Sequence, residues 1–193
     1  MTFLGLGLGL GLGPVRATAS PAPTAAFIGN GNVSIVDQGG GVWRVTKTGG
    51  VDGQQDAWAN SAEPIAGDCA MGVTTSIEFE AIGGIGLGEA PTAGPFQPIN
   101  EGFNSIYSDG GGGFEAQASN ETQTNFGFTP PNWAIVARIG NSIVFGGAAS
   151  GWENPPPFTS GDSEMVPGGG LSPLYGFLII RTLGAWYDIK FSA

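Results

Sequence analysis

Glu78-Phe79-Glu80 is the only Glu-x-Glu in the chain, and a pair of carboxylates is what hydrolysis of a glycosidic bond needs. On a strand, residues two apart share a face, so the two would act side by side. Further acidic and aromatic residues around the pair are lacking, and a solvated strand face opposite Ile77 and Phe79 is the plainer account of it. The chain has no histidine, which removes the usual general base, the histidine-dependent triads and most zinc sites. Its one cysteine, Cys69, permits no intrachain disulfide and reads as a small buried apolar residue. Asp52, Asp56, Asp109 and Asp162 stand in glycine-rich loops, where oxygen ligands for calcium tend to arise. No spaced Asp-x-Asp-x-Asp run accompanies them, and capping of their own turns is the plainer role. Gly110–Gly113 lacks the Gly-Lys-Ser/Thr ending of a phosphate loop and reads as a turn. The expectation is a protein that is not an enzyme and needs no cofactor, with calcium the one metal left open.

Aromatic rings offer a different chemistry, since a flat ring stacks on a sugar face. Trp58, Tyr107 and Trp152 fall at loops or strand ends and are the candidates for glycan contact, with packing under a long loop as the alternative role. Trp43, Trp133 and Trp186 fall within predicted strands and are expected in the core.

The elements that would carry these residues are strands. Asn32–Asp37 and Val42–Thr48 alternate around a glycine turn and predict a hairpin. Residues 49–68 read as loop. Met71–Gly83 predicts a long strand with Val73, Thr75, Ile77 and Phe79 on one face, followed by a short strand in Gly84–Ala90. Phe103–Asp109 and Phe114–Ser119 flank four glycines as a second hairpin. Trp133–Ile139 and Ser142–Ala148 flank Gly140-Asn141, a tight-turn pair. Tyr175–Ala193 closes the chain as two strands around Leu183-Gly184. Nine to eleven strands and no convincing helix predict an all-β, two-sheet antiparallel sandwich.

Composition narrows the partners. Charged residues are 11% of the chain and glycine plus proline about a quarter, but twelve Phe, five Trp and three Tyr are enough to build a core. A net charge of −10 with six basic residues disfavours nucleic acid and anionic membrane surfaces alike.

The first 26 residues have a different texture. Leu4, Leu6, Leu8, Leu10 and Leu12 alternate with glycine, and a Pro/Ala-rich stretch follows. The run is too short and too rich in glycine for a transmembrane helix. A secretory signal ending at Ala17-Thr18-Ala19 is one reading, weakened by the lack of Lys or Arg before the apolar run. The other reading is an anchoring arm. A leucine ridge on a flat glycine back suits a groove or a neighbouring sheet edge. Burying five leucines is worth about 1.5–3 kcal/mol each, while ordering ten residues costs about 1–2 kcal/mol apiece. The two nearly cancel, so the arm is expected to order only within an assembly. The expected division is therefore an arm over 1–26 and a β-sandwich over 27–193.

Four stretches then resemble one family. Gly67–Phe79, Gly84–Gly94, Trp133–Gly147 (with Arg138, Gly140, Asn141 and Phe145 in matching places) and Pro173–Ala193 occur in an order similar to that of concanavalin-like (laminin-G-like) β-sandwich modules. Such modules are found in phage fibres, adhesins and carbohydrate-active proteins. The resemblance implies a jelly-roll fold and a tendency to bind glycans or decorate surfaces, and it implies no reaction. Together with the arm it points to a structural protein of a bacteriophage particle: a fibre, spike, decoration protein or tail adhesin located in the virion. Its expected partners are other virion proteins and its own copies, a trimer among the options, with host glycan as ligand and no membrane span. A secreted bacterial carbohydrate-binding module is the alternative, and a glycoside hydrolase a more remote one.

Overall fold

Short alternating runs separated by glycine turns fold as strands, and no helix occurs among the described residues. The computed structural model describes residues 26–74, 82–89, 104–108, 114–117, 124–126, 133–148, 163–167 and 172–193. In chain order the strands are β1 (Phe27–Gly29), β2 (Val33–Gly39), β3 (Val42–Lys47), β4 (Ala57–Ser61), β5 (Cys69–Thr74), β6 (Ile82–Gly88) and β7 (Asn104–Ser108). They continue with β8 (Phe114–Gln117), β9 (Thr124–Phe126), β10 (Trp133–Ile139), β11 (Ser142–Ala148), β12 (Ser163–Pro167), β13 (Tyr175–Ile180) and β14 (Trp186–Ser192).

Two seven-stranded sheets result. Sheet I has the order β1-β4-β13-β6-β7-β8-β9 and sheet II the order β12-β11-β10-β5-β14-β3-β2. Every pairing is antiparallel. Ile85, Leu87 and Leu178 of sheet I belong to one buried apolar cluster with Met71, Val136 and Phe191 of sheet II. Gly176 on β13 points into this layer. A Cβ there would lie 2.8 Å from the Phe191 ring and 3.0 Å from the Met71 sulfur, so glycine sets how closely the sheets approach.

The expected all-β, two-sheet antiparallel sandwich is what the chain forms. The β2–β3 hairpin turns through Gly39, Gly40 and Gly41, all at positive φ, and the β10–β11 hairpin through Gly140 at φ +58°. β7 pairs with β8 as the predicted hairpin requires, and the glycines between them lie outside the described residues. Fourteen strands occur among the described residues, where nine to eleven were expected of the chain. The largest difference is β4, inside the stretch read as loop. Its inward positions carry Ala57, Ala59 and Ser61, side chains too small to produce a visible hydropathy alternation. β13 and β14 flank Leu183-Gly184 but belong to opposite sheets, so that turn is a crossover between layers. The strand expected over Met71–Gly83 is described as far as Thr74, and β6 begins at Ile82. The arm residues 1–25 lie outside the described residues.

The chain also passes between layers at β1→β2, β3→β4, β4→β5, β5→β6, β9→β10 and β12→β13. Where these crossovers run decides what gathers at each end of the sandwich.

Candidate functional site

Trp58 and Tyr107 lie on the same face of sheet I. On β4, Ala59 faces the core while Trp58 packs with Phe177 and Ile179 in a separate cluster on the outward face of sheet I. On β7, Ile106 faces the core, so alternation turns Tyr107 to the same outward face. Trp58 pairs with Ile179, and Ile179 with Gly84. The Ile85–Ile106 pair sets Tyr107 level with Gly84. The sequence Trp58, Ile179, Gly84, Tyr107 is therefore one row across four strands, with its ends about 14 Å apart at the usual strand spacing. Both aromatic residues are half-buried, whereas Ile179 and Phe177 between them are buried. The row thus has a half-buried aromatic residue at each end, with the Tyr107 hydroxyl itself enclosed, and a buried apolar stretch between them. Trp152, the third candidate, lies outside the described residues, as do Glu78, Glu80, Asp109, Asp162 and the five arm leucines.

The three tryptophans expected in the core are half-buried instead. Trp43 packs at the margin of the core, one strand in from the edge of sheet II. Trp133 packs on the outward cluster of Ala70, Ile135 and Ala137. Trp186 lies on the outward face of sheet II beneath the Arg44 guanidinium, 3.7 Å from ring centroid to Cζ. Arg44 also makes a two-pronged contact to Asp188 at 2.8 and 2.9 Å, and that hydrogen bond raises its pKa.

The two described aspartates of the calcium reading hold turns. Asp52 accepts from the Leu183 N–H at 2.8 Å. Asp56 accepts from the Lys47 ammonium at 2.6 Å and from the Val51 N–H at 2.8 Å, and these bonds hold its carboxyl below the usual carboxylate range. No group of three or more acidic, cysteine or histidine residues gathers among the described residues. Cys69 is buried, as expected, and its burial pushes the thiol up to about 11. A thiol so raised stays protonated and unreactive at neutral pH.

Sequence reasoning missed the two buried cations that close the ends of the sandwich. Lys47 is wholly buried, and its Nζ donates to Val51 O, Gln54 O, Asp56 Oδ1 and Arg181 O. At the opposite end, Arg138 is 2% exposed and donates to the carbonyls of Ile65, Gly67 and Ser172. A signal was present. Trp43, Val45 and Lys47 share one face of β3, and Ala134, Val136 and Arg138 one face of β10. A cation in line with core residues must be satisfied internally, because burying an unpaired charge is prohibitive.

No helix among the described residues is long and apolar enough to cross a membrane. No family model matches the chain, and no curated protein matches it. Among solved structures, the CBM2 module of the evolved Dit of Lactobacillus casei BL23 phage J-1 is 10% identical, with a TM-score of 0.39 over 82% of this chain and 78% of that one. A likeness of that degree carries no argument about what this chain binds.

Proposed function

We propose that the chain is a non-enzymatic structural protein of a bacteriophage particle, a virion fibre, spike, decoration protein or tail adhesin. Its N-terminal arm anchors it to other virion proteins, and its β-sandwich is displayed. The sandwich is read as a concanavalin-like jelly roll, a reading supported by the two antiparallel sheets and the repeated passage of the chain between them. The observation that carries the proposal is the Leu4–Gly13 alternation placed ahead of β1, the edge strand of sheet I. A segment that gains little by folding alone orders where a neighbouring chain supplies backbone hydrogen bonds and apolar pockets. Display in several copies, as a homo-oligomer such as a trimer, raises weak glycan contacts to useful avidity. Trp58, Tyr107 and Trp152 are the rings proposed to meet host glycan.

Deleting residues 2–13 is expected to leave the melting temperature of the soluble protein within about 2 °C and to abolish its incorporation into particles. Undiminished incorporation contradicts the anchoring role. The glycan component is tested separately with particles carrying Trp58→Ala and Tyr107→Ala. Adsorption to host cells, normalised to incorporated protein, is expected to fall at least tenfold, a loss of about 1.4 kcal/mol or more. Unchanged adsorption removes these rings from the ligand site.

A further inference from the structure

The Lys47 ammonium is surrounded as an ion is surrounded. Four oxygens lie around Nζ: Asp56 Oδ1 at 2.6 Å, Val51 O and Gln54 O at 2.8 Å, and Arg181 O at 2.9 Å. An ammonium carries three protons, so four acceptors describe a coordination shell better than a set of one-to-one hydrogen bonds. Three neutral carbonyls and one carboxylate give the shell a charge of −1, which balances one monovalent cation. The side chain that brings the charge is wholly buried.

The shell is also held by hydrogen bonds that do not involve the ammonium. The Gln54 N–H donates to Val51 O at 3.2 Å and the Gly53 N–H to Arg181 O at 2.9 Å. Asp56 Oδ2 accepts from the Val51 N–H at 2.8 Å. Behind it, Asp56 O accepts from the side-chain amides of Asn30 at 2.7 Å and Asn32 at 2.8 Å. Gly50, at φ +82°, leaves the carboxylate its space: a Cβ there would stand 2.4 Å from Asp56 Oδ2. The shell draws on three crossovers between the sheets, namely β1→β2 through Asn30 and Asn32, β3→β4 through residues 51–56, and β13→β14 through Arg181.

We infer that this is a small-cation site whose occupant is tethered to the chain, and that trimming Lys47 leaves a receptor for a free monovalent cation of ammonium or potassium size. The oxygen distances exceed those of magnesium and, with one exception, those of calcium. A ring of carbonyl oxygens replacing the hydration shell is the way proteins accept potassium. The tether explains why an oxygen-rich, glycine-rich loop holds its shape with a side chain as its ion.

The test compares the full-length wild type with Lys47→Ala in ammonium chloride, potassium chloride and tetramethylammonium chloride at equal ionic strength. The variant is expected to lose on the order of 10 °C in melting temperature in tetramethylammonium, which is too large for the shell. At least half of that loss is expected to return in ammonium or potassium, increasing with concentration as binding to the folded state requires. The wild type is expected to respond equally to the three salts. A variant that melts alike in all three, or that fails to fold in every one, overturns the inference, as does a wild type with the same ammonium preference. A second measurement uses the wild type alone. The chain has two lysines, Lys47 and Lys190, and acetic anhydride applied to native protein is expected to spare Lys47 at least a hundredfold relative to denatured protein. Acetylation of native Lys47 at the denatured rate overturns the tethered-occupant assignment.

Discussion

At the scale of single residues, buried and half-buried charges are answered by internal partners. Asp56 is held ionised first by the Lys47 hydrogen bond and then by the Val51 N–H, which lowers its pKa. A carboxyl lowered in the folded state adds stability that is complete above the unfolded carboxylate range, near pH 4, and is lost as pH falls through the lower folded value. Asp56→Asn is therefore expected to cost about 2 kcal/mol at pH 7 and to flatten the decline in stability below about pH 4. Urea midpoints across that range check it, and a variant whose acid decline parallels the wild type contradicts it. Asp52 and Asp56 were legible as loop residues with oxygen chemistry, yet their role depends on a lysine that arrives from a strand. Nothing in the spacing of the aspartates announces that partner. The signal lay in Lys47 itself, a cation in phase with Trp43 and Val45.

At the scale of elements, glycine turns were the most legible feature. Gly140-Asn141 and the three glycines after Asp37 demand left-handed backbone, and the structure places positive φ at Gly140 and at Gly39–Gly41. Strands that are apolar on both faces were equally visible, as in β10 and β13. Those built on small inward residues were not: β4 hides its alternation behind Ala57, Ala59 and Ser61. β1 is three residues long and offers too short a pattern to read. Pairing across long separations was also invisible, since β13 sits between β4 and β6 and no local rule sets that order. Arg138 shows how such distant elements are joined. Its guanidinium ties the β4→β5 crossover at Ile65 and Gly67 to Ser172, just ahead of β13. Arg138→Ala takes its donors from the Gly67, Ser172 and Ile65 carbonyls, of which Ile65 O keeps the Leu174 N–H, leaves a cavity behind them, and is expected to cost about 3–5 kcal/mol. Denaturant midpoints measure this, and a loss below about 1 kcal/mol contradicts the clamp. The aromatic row belongs to this scale too. Trp58 and Tyr107 stand out separately in the sequence, and only the order of sheet I reveals that they share a face and a level.

At the scale of the whole molecule, the sandwich runs from β1 to β14 with a buried cation closing each end: three crossovers meet around Lys47 and two around Arg138. Those clamps fix the crossovers as well as the sheets, which suits a rigid displayed body. The chain carries a net charge of −10, and its buried Lys47 and Arg138 are not offered to a partner, which disfavours partners reached through a basic groove. The proposed attachment is through backbone pairing and leucine packing at the arm. Hydrogen–deuterium exchange of residues 4–13, compared between the isolated protein and assembled particles, tests that attachment most directly. Rapid exchange in the isolated protein with strong protection in the particle is the predicted result. Protection already complete in the isolated protein, or none in the particle, contradicts it.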